Sequence, residues 1–484
     1  MIVMKFGGTS VADADAIRRV VSIVESRLAE RPIVVVSAFA KVTDTLLDAG
    51  LCAVEGRLHS ARRKVDEIRR RAIEIGNELL VPAVRGPVFR AVEQDFELLE
   101  TLLGGAAAVR EFSPRTSDAV AAFGELISSR VVAAALVSVG VNALFVDSRE
   151  CFITDQQHTR ARPLLAETEQ RLRERVAEAT GNGVVPVLGG FIGSTADGVT
   201  TTLGRGGSDF SAALIGQCVR ASRVEIWTDV NGIMTCDPRV CPDATTIDEI
   251  SFDEAAQLAA FGAKVIHPDT LVPAVQNDIP VWVLNTFHPE GPGTCIQRQV
   301  AGFRHRVKAI AAKKGVSVFT VTAGRALEGN RLPQRVLEVL QENRCTVELV
   351  SSSDNSVSVA VTGADAVERI RRGLEKAGTV EYEGHQGVVC LVGENLFRAP
   401  DVMATVFSAL KDVSVRMITQ GASRTNFALV VNEAEISNAL RSIHAALFGK
   451  PEDSSVLLSA PVRSASAELQ SVVAAKESGG AQPQ

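Results

Sequence analysis

The stretch LGRGGSDFSAALIG, residues 203–216, combines residue types that bind an anion. Its glycines let backbone N–H groups approach a negative charge, and the start of the following helix adds a favourable partial charge. Arg205 brings a planar guanidinium that suits a carboxylate or a phosphate. A glycine loop alone is more often a tight turn. Here it joins Arg205 to Ser208 and Asp209 at a helix start, which favours an anion site.

Lys5 is a second candidate cation, in the opening stretch MIVMKFGGTS. It lies at the end of a short apolar run, directly before Phe6 and the pair Gly7 and Gly8. Glycines at the carboxyl end of a strand leave the backbone open, so an ammonium group there can meet phosphate groups.

Two later stretches add further cations. In WTDVNGIMTCDPRV, residues 227–240, a strand end and a turn lead to Arg239 in a loop, and Asp229 reads most simply as a turn cap. In FGAKVIHP, residues 261–268, Lys264 lies among small and apolar residues, where a lysine more often snorkels than catalyses. Taken singly, each of these signals is weak.

Two common nucleotide-binding classes are excluded by motif. Nothing in the chain fits GxxxxGK[ST], the phosphate loop of many nucleotide hydrolases. No GxGxxG stands at a strand-to-helix turn followed by an acidic ribose ligand, as dinucleotide-binding folds require. Hydride transfer and P-loop hydrolysis are therefore disfavoured.

Composition bounds the class of protein. The chain has 484 residues, enough for two to four domains, and a net charge of −6, which argues against nucleic-acid or anionic-membrane partners. One basic run, residues 61–71, is interpreted as a solvated helix face with Val65 and Ile68 turned inward and its arginines outward.

Localisation follows from what the sequence lacks. We expect no signal peptide, since a strand begins at residue 2, and no apolar span of the ~20 residues that a membrane helix needs. The eight cysteines form no CxxC and no His/Cys cluster, so free thiols are expected. The sequence predicts a cytoplasmic protein.

Short β-branched runs alternate with helical patterns up to about residue 298. The predicted strands are IVMKF, PIVVVSA, VNALFVD, VVPVLGG, RVEIWTD and IPVWVLN. Such alternation predicts an α/β fold, a three-layer α/β/α sandwich around a mainly parallel sheet, with ligands at the carboxyl ends of the strands.

The pattern changes after residue 298. The stretches VLEVLQENRCTVELVSSSDNSVSVAV and VFSALKDVSVRMITQGASRTNFALVV align as helix, strand, Ser-rich turn and strand, which indicates an internal duplication. We predict a catalytic domain at 1–298, two βαββαβ regulatory domains at 299–384 and 385–450, and a disordered tail at 451–484. The first strand of this region, about 305–314, is expected to pair with the second regulatory domain.

The motifs KFGGTS, FGELISSR, GRGGSD, TDVNGIMTCDPR and FGAKVIHP follow one another in an order and spacing that resemble the aspartate kinases of the amino acid kinase superfamily. The stretch MITQGASRTNFALVV resembles their second ACT regulatory domain. The resemblance covers about residues 1–450. The sequence shows no dehydrogenase extension, so the resemblance implies a monofunctional enzyme.

This resemblance implies a reaction and a set of site residues. The enzyme would transfer the γ-phosphoryl of ATP, with Mg²⁺, to the side-chain carboxylate of L-aspartate, giving 4-phospho-L-aspartate and ADP in the first step of lysine, threonine and methionine biosynthesis. No protein ligands for a metal are predicted, because phosphate oxygens would hold the Mg²⁺. The implied catalytic residues are Lys5, Asp209 and Lys264. The implied substrate-binding residues are Ser37, Thr43, Glu125, Arg205, Gly206, Gly207 and Ser208. The implied nucleotide-binding residues are Lys5, Phe6, Gly7, Gly8, Thr228, Asp229, Met234, Arg239, Lys264 and Val265.

Two departures from the family pattern concern the nucleotide and the effector. Met234 stands where many members carry an aromatic residue, and methionine can still pack on adenine. The loop that matches the effector site, GRALEGNRLPQ, carries Ala326, Gly329 and Arg331 in place of a small and polar lining.

Regulation is expected to work through an amino acid of the aspartate family, lysine ahead of threonine. The predicted effector residues are Glu348, Ser353 and Asp354. The resemblance also implies a homodimer or homotetramer assembled through the ACT domains, with no nucleic-acid or membrane partner.

Two alternative functions stay open at this point. A sibling kinase of the same fold would act on another small carboxylic acid. A regulatory subunit would bind amino acids without catalysis, although the four charged residues Lys5, Arg205, Asp209 and Lys264 argue against it.

Overall fold

The computed structural model describes residues 1–262, 268–298, 300, 306–323, 331–364, 366–421 and 423–449. The predicted α/β class is confirmed. The N-terminal part contains β1 (Ile2–Phe6), α1 (Ala14–Glu25), β2 (Pro32–Val36), α2 (Val42–Val54), α3 (Leu58–Leu79), α4 (Pro82–Val109), α5 (Pro114–Ala121), α6 (Phe123–Ser138), β3 (Ala143–Val146), β4 (Ile153–Thr154), α7 (Leu165–Leu172), α8 (Glu178–Gly181), β5 (Val185–Gly189), β6 (Ile192–Thr195), β7 (Thr200–Thr202), α9 (Gly207–Val219), β8 (Arg223–Thr228), β9 (Glu249–Ser251), α10 (Phe252–Ala260), α11 (Val272–Gln276), β10 (Val281–Asn285) and β11 (Thr294–Gln297).

The main sheet of this part has the strand order β3-β5-β2-β1-β8-β10-β11-β9 among the described residues. Its pairs are parallel except β10 with β11. One face carries α1 to α4 and α6 and the other carries α7 and α9 to α11, each over its own apolar core. A parallel sheet needs this cover on both faces, because its strands are apolar on both sides.

Alternation along β1 determines where Lys5 lies. Met4 and Phe6 belong to the core under α1 and α2, whereas Val3 belongs to the opposite core under α9. Since successive side chains of a strand point to opposite faces, Lys5 points to the face that α9 covers.

Loops at the carboxyl edge of the sheet are tied to the neighbouring strands by backbone hydrogen bonds. The amide of Ser37 donates to Phe6 at 3.1 Å, that of Gly7 to Trp227 at 3.0 Å and that of Gly190 to Val36 at 2.8 Å. The loops after β1, β2 and β5 are therefore held side by side, and the first two carry predicted site residues.

The C-terminal part is built on a second sheet. Its elements are β12 (Val307–Ala323), α12 (Arg331–Glu342), β13 (Thr346–Ser352), β14 (Ser356–Thr362), α13 (Val367–Glu375), β15 (Gly378–Gly393), α14 (Pro400–Ala409), β16 (Val415–Gln420), β17 (Asn426–Asn432) and α15 (Ile436–Phe448). The described strands pair antiparallel in the order β13-β14-β12-β15-β17-β16.

The long strand β12 serves both halves of this sheet. Its first residues, 307–313, pair with the end of β15, which itself pairs with β17. Its later residues, 316–323, pair with the start of β15, and most of them also with β14. The first half is thus a βαββαβ unit, and the second is a βαββα unit that the first residues of β12 complete.

Polar contacts join the two parts. Lys308 on β12 pairs with Glu254 on α10 at 2.9 Å, and both side chains are buried. Next to them, Asn426 donates to Gln257 at 2.6 Å. Because an unpaired buried charge is costly, the Lys308–Glu254 pair fixes how α10 seats on the second sheet.

One helical stretch meets the length and hydropathy of a membrane helix, contrary to the sequence-based expectation. It is Pro114–Ser138, which spans α5 and α6, and 89% of its most apolar window is buried inside the protein. Burial of this kind is typical of a core helix. The eight cysteines are free, and seven of them are buried.

Candidate active site

A cavity of about 570 Å³ opens at the carboxyl edge of the main sheet. It brings together predicted site residues from four separate segments of the chain. Those that line it are Lys5, Gly8, Ser37, Thr43, Glu125, Arg205, Gly206, Gly207, Ser208 and Asp209.

Lys5 and Asp209 form an ion pair in this cavity, with Nζ and Oδ1 2.6 Å apart. Asp209 lies in the first turn of α9, and Gly206 caps that helix with φ = 72°, a conformation that favours glycine. A Cβ on Gly7 would stand 3.9 Å from Nζ of Lys5, so the backbone passes close to the ammonium. Lys5 is only 9% exposed, which strengthens its interaction with any anion in the cavity.

Glu125 is buried in the wall of the cavity on α6. Oε1 accepts the backbone N–H of Ala38 at 3.2 Å, and Oε2 has no hydrogen-bond partner among the described residues. Burial raises the pKa of Glu125 to about 8, partly offset by that backbone hydrogen bond. A buried carboxyl with one free oxygen can bind a cationic group of a ligand, and that contact would favour its ionised form.

Two glycines at the end of β5, Gly189 and Gly190, make room for these groups. A Cβ on Gly189 would lie 2.9 Å from Cβ of Glu125, and one on Gly190 would lie 2.7 Å from Cα of Ser208. Neither contact is tolerable without a shift of the backbone. The two glycines therefore let the sheet edge, α6 and α9 come together.

Arg205 extends from the exposed loop before α9. Within the described part of the chain, its guanidinium has no hydrogen-bond or ion-pair partner. Its fork is thus free to bind a carboxylate of a ligand in the cavity. Ser37 and Thr43 are half-buried and line the same cavity.

Only some of the predicted nucleotide-binding residues line this cavity. Gly7 and Thr228 lie side by side, since Gly7 bonds to the residue before Thr228, and Asp229 follows in an exposed loop. Phe6 is fully buried and stacks on Trp227, so its side chain belongs to the core and only its backbone is near the site.

Met234 and Arg239 line a second cavity, of about 530 Å³, between the loop after β8 and the C-terminal part. Ile310 and Ala312 of β12 and Leu440 of α15 complete its apolar wall. Lys264 and Val265 lie outside the described residues.

The predicted effector residues are not equivalent in the structure. Glu348 on β13 is 7% exposed in its side chain, and its Oε1 accepts both Nζ of Lys313 and the hydroxyl of Thr362 at 2.6 Å. Ser353 and Asp354 are exposed in the turn before β14. Glu348 is thus already neutralised by a lysine of the same chain. Ala326 and Gly329 lie outside the described residues.

Arg71 contributes to the site although sequence reasoning did not single it out. Val65 and Ile68 of α3 are buried as expected, but Arg71 does not face outward as Arg62, Arg63 and Arg70 of its run do. It donates to the carbonyl of Ala12 at 2.6 and 3.1 Å and to that of Ala40 at 2.8 Å. It therefore ties the loop after β1 to the loop after β2. Burial lowers the pKa of Arg71. Helical spacing gave no signal for this role.

Asp118 is a second residue that sequence reasoning missed. It lies in α5, is 1% exposed and lines the cavity. A signal existed, because Asp118 precedes Glu125 by seven residues and positions seven apart share one helix face.

Comparison with known proteins agrees with this geometry. A family model described as the amino acid kinase family matches residues 1–285, and one described as an ACT domain matches residues 389–447. The lysine-sensitive aspartokinase 3 of Escherichia coli K12 is 36% identical over 457 residues, which cover 93% of this chain and 99% of that protein. The chain belongs to the aspartokinases of the amino acid kinase family.

One further aspartokinase and one solved structure extend the likeness. The chloroplastic aspartokinase 2 of Arabidopsis thaliana is 33% identical over 468 residues, covering 92% of this chain and 84% of that protein. The crystal structure of E. coli aspartokinase III in complex with aspartate and ADP superposes with a TM-score of 0.77 at 35% identity, covering 93% of this chain and all of that one. The kinase fold and the ACT region both take part in this match.

Proposed function

We propose that the chain transfers the γ-phosphoryl group of ATP to the side-chain carboxylate of L-aspartate. The observation that carries the proposal is one cavity lined by the Lys5–Asp209 ion pair together with Glu125 and Arg205. Glu125 suits the α-ammonium and Arg205 the α-carboxylate of an amino acid. The side-chain carboxylate is then directed towards Lys5.

The chemistry of the acceptor explains what the site contains. A carboxylate is ionised at neutral pH, so the reaction needs no general base. The barrier is instead the approach of two anions, which cations and positioning lower. Lys5 would interact with the transferring phosphoryl group, and Asp209 would hold Lys5 in place.

The nucleotide is proposed to run from Lys5 past Gly7 and Gly8 to the end of β8. Its base would lie near Met234, in the apolar cavity of about 530 Å³. E. coli aspartokinase III binds ADP together with aspartate, which supports ATP as the donor here. The exposed Arg239, paired with Asp237 at 2.7 Å, is available to nucleotide phosphates if that pair opens.

Mg²⁺ is proposed to arrive with the nucleotide. The described residues contain no group of three or more His, Cys, Asp or Glu that could hold a metal ion. Asp209 is the carboxylate nearest to the expected phosphates, and it is engaged by Lys5. The donor set therefore fits an ion held chiefly by phosphate oxygens and water, which supplies charge neutralisation to the phosphoryl group.

Feedback inhibition by lysine through the ACT region is the proposed regulation, with a homodimer or homotetramer as the proposed assembly. The E. coli relative is described as lysine-sensitive. The N–H of Ile310 on β12 donates to the carbonyl of Thr235 at 2.8 Å, which connects that region to the loop that carries Met234.

The proposal is tested by trapping the acyl phosphate with hydroxylamine in the presence of ATP and Mg²⁺. L-Aspartate should give a hydroxamate, whereas L-glutamate and N-acetyl-L-glutamate should not, and Lys5→Ala should lose the product. Product from another acid alone would overturn the substrate. No product from any acid, with amino-acid binding intact, would indicate a regulatory subunit.

A further inference from the structure

Asp118 is a buried carboxylate in the wall of the substrate cavity. It accepts hydrogen bonds from three groups on two segments. The backbone N–H of Thr159 lies 3.0 Å from both of its oxygens, the hydroxyl of Thr202 lies 2.6 Å from Oδ1, and Nδ1 of His158 lies 2.8 Å from Oδ2. Asp118 therefore links the segment that carries His158 and Thr159 to Thr202 at the end of β7.

Thr159 is held in an unfavourable backbone conformation at this point. Its φ is 68°, in the left-handed region, and the residue is β-branched. Such a residue persists only where its surroundings impose the conformation. The two bonds from its N–H to Asp118 supply that constraint.

The segments that Asp118 joins are the ones that seat the Arg205 loop. Thr202 ends β7 directly before this loop, and its carbonyl accepts the N–H of Ala161 at 2.8 Å. Gly204 has φ = 78°, and a Cβ there would lie 3.1 Å from the carbonyl oxygen of Thr159. The loop therefore rests directly on the backbone that Asp118 fixes.

Arg205 depends on this support more than the other cavity residues do. Lys5 is oriented by Asp209, and Glu125 by the N–H of Ala38. The guanidinium of Arg205 has no such partner in the described part of the chain, so its position is determined by the loop alone. The turn is closed by a bond from the N–H of Gly207 to the carbonyl of Gly204 at 3.0 Å.

We propose that Asp118 is a positioning residue that fixes Arg205 for the α-carboxylate of the acceptor. This inference rests on the proposed function, in which Arg205 binds that carboxylate. Asp118 acts on Arg205 through Thr202, Thr159 and Gly204. It determines affinity for the amino acid and leaves the nucleotide side of the site unaffected.

The test removes one hydrogen bond to Asp118 and compares it with a matched bond on the same strand. Thr202→Val keeps the shape of the side chain and removes its donor to Asp118, and Thr202→Ser restores the hydroxyl. Thr201→Val is the control, because the hydroxyl of Thr201 bonds to that of Thr154 at 2.7 Å, is equally buried and does not reach Asp118. Asp118→Asn is the direct variant.

We expect Thr202→Val to raise KM for L-aspartate by about 10-fold, the effect of losing one hydrogen bond to a charged group. Its kcat and its KM for ATP should stay within about twofold of the values of the unmutated enzyme. Thr202→Ser should have a KM for L-aspartate close to that of the unmutated enzyme. Asp118→Asn should raise KM for L-aspartate by more than Thr202→Val does. Thr201→Val should lower the melting temperature about as much as Thr202→Val without changing KM for L-aspartate.

Three results would overturn the inference. They are an unchanged KM for L-aspartate in Thr202→Val, equal changes in both KM values, and the same rise in the Thr201→Val control. If the unmutated enzyme gives no aspartyl hydroxamate, the proposed function fails instead. The two failures are therefore distinguishable.

Discussion

Nζ of Lys5 and Oδ1 of Asp209 lie 2.6 Å apart, across the junction of the first strand and the helix α9. The alternation of β1 turns Lys5 towards α9, and the glycine-capped start of α9 places Asp209 opposite it. Without a ligand the ammonium is already neutralised and held in position. An incoming phosphate therefore meets a cation that is already oriented, which is the form of preorganisation that lowers electrostatic barriers.

Lys5→Met is predicted to lower kcat by about 10²–10³, the scale of losing one preorganised charge or donor at a reacting oxygen. Methionine keeps the length of the side chain and removes its charge. The measurement is the steady-state rate of aspartyl hydroxamate formation at saturating substrates.

Lys64→Met is the control for this variant, since Lys64 of α3 forms an ion pair with Asp48 of α2 at 2.7 Å. Its kcat should be within about twofold of the unmutated enzyme, because exposed ion pairs contribute little. A kcat of Lys5→Met equal to that of the control would remove Lys5 from the mechanism.

Glu125 is predicted to make aspartate binding depend on pH. Its pKa is raised to about 8 in the ligand-free protein, so below pH 8 the carboxyl must lose its proton to hold the α-ammonium. KM for L-aspartate should therefore fall as pH rises towards 8 and level off above it. At pH 7, calorimetry in buffers of different ionisation enthalpy should show the release of nearly one proton per L-aspartate bound.

Glu125→Gln separates this effect from other titrations. The variant should bind L-aspartate more weakly, with no proton release from this position. Proton release that is the same in both proteins would show that another group titrates on binding.

Local patterns sufficed for Lys5, Arg205 and Asp209. Each lies at a strand end or a helix start, where the direction of the chain and the glycines beside it indicate the face and the edge of the sheet. The three-layer fold followed from the same alternation of strands and helices.

Long-range contacts account for what the sequence did not predict. Arg71 stands in a run of arginines with ordinary helical spacing, and its role depends on carbonyls at Ala12 and Ala40, which only the tertiary fold brings near. Phe6 belongs to a nucleotide motif, but stacking on Trp227 places its ring in the core. Glu348 was predicted as an acidic residue of the effector site. Its ion pair with Lys313 could not be predicted, because it depends on how β12 and β13 are placed in the second sheet.

Gly190→Ala is predicted to damage the site through contact with α9. The added Cβ would stand 2.7 Å from Cα of Ser208, so the start of the helix must shift. We expect a loss of about 1–3 kcal/mol in the free energy of unfolding, as for other over-packed positions, and a higher KM for L-aspartate. Urea titration and steady-state kinetics measure the two effects.

Gly105→Ala tests whether these effects come from the contact or from losing a glycine. Gly105 lies in α4, and nothing stands within 4 Å of a Cβ placed there. This variant should gain about 0.5–1 kcal/mol, because alanine favours the helix. If Gly190→Ala had the same stability and the same KM for L-aspartate as Gly105→Ala, the close packing of Gly190 on Ser208 would not affect function.

His444 is predicted to make stability depend on pH. It is 5% exposed on α15, its Nε2 lies 3.0 Å from the hydroxyl of Thr235, and burial lowers its pKa. The unfolded chain protonates this histidine at a higher pH, near 6.5, than the folded protein does. Below about pH 6.5 the unfolded state thus binds more protons than the folded state does. The contribution of His444 to the free energy of unfolding is therefore complete above that pH and is lost as pH falls.

Urea titrations between pH 8 and pH 5 measure this contribution. His444→Gln should flatten the decline in unfolding free energy below about pH 6.5, whereas His59→Gln, at an exposed position of α3, should keep the slope of the unmutated protein. Parallel curves for all three proteins would rule His444 out as the source.

Lys313 is predicted to weaken inhibition by lysine. Its ammonium occupies the carboxylate of Glu348 at 2.6 Å, so an effector lysine that uses Glu348 must first displace a cation of the same chain. Lys313→Met should lower the L-lysine concentration for half-inhibition by about 10-fold, the effect of one hydrogen bond to a charged group. Glu348→Gln should raise that concentration, because it removes the anion from both competitors.

Lys376→Met is the matched control, since Lys376 is an exposed lysine of the same region. It should leave half-inhibition unchanged. The competition would be clearest if lysine inhibited Lys313→Met but not the unmutated enzyme. Lys313 would then exclude the effector from Glu348. Equal half-inhibition in Lys313→Met and Lys376→Met would mean that lysine binds without Glu348, and the effector site would have to be sought in the exposed turn at Ser353 and Asp354.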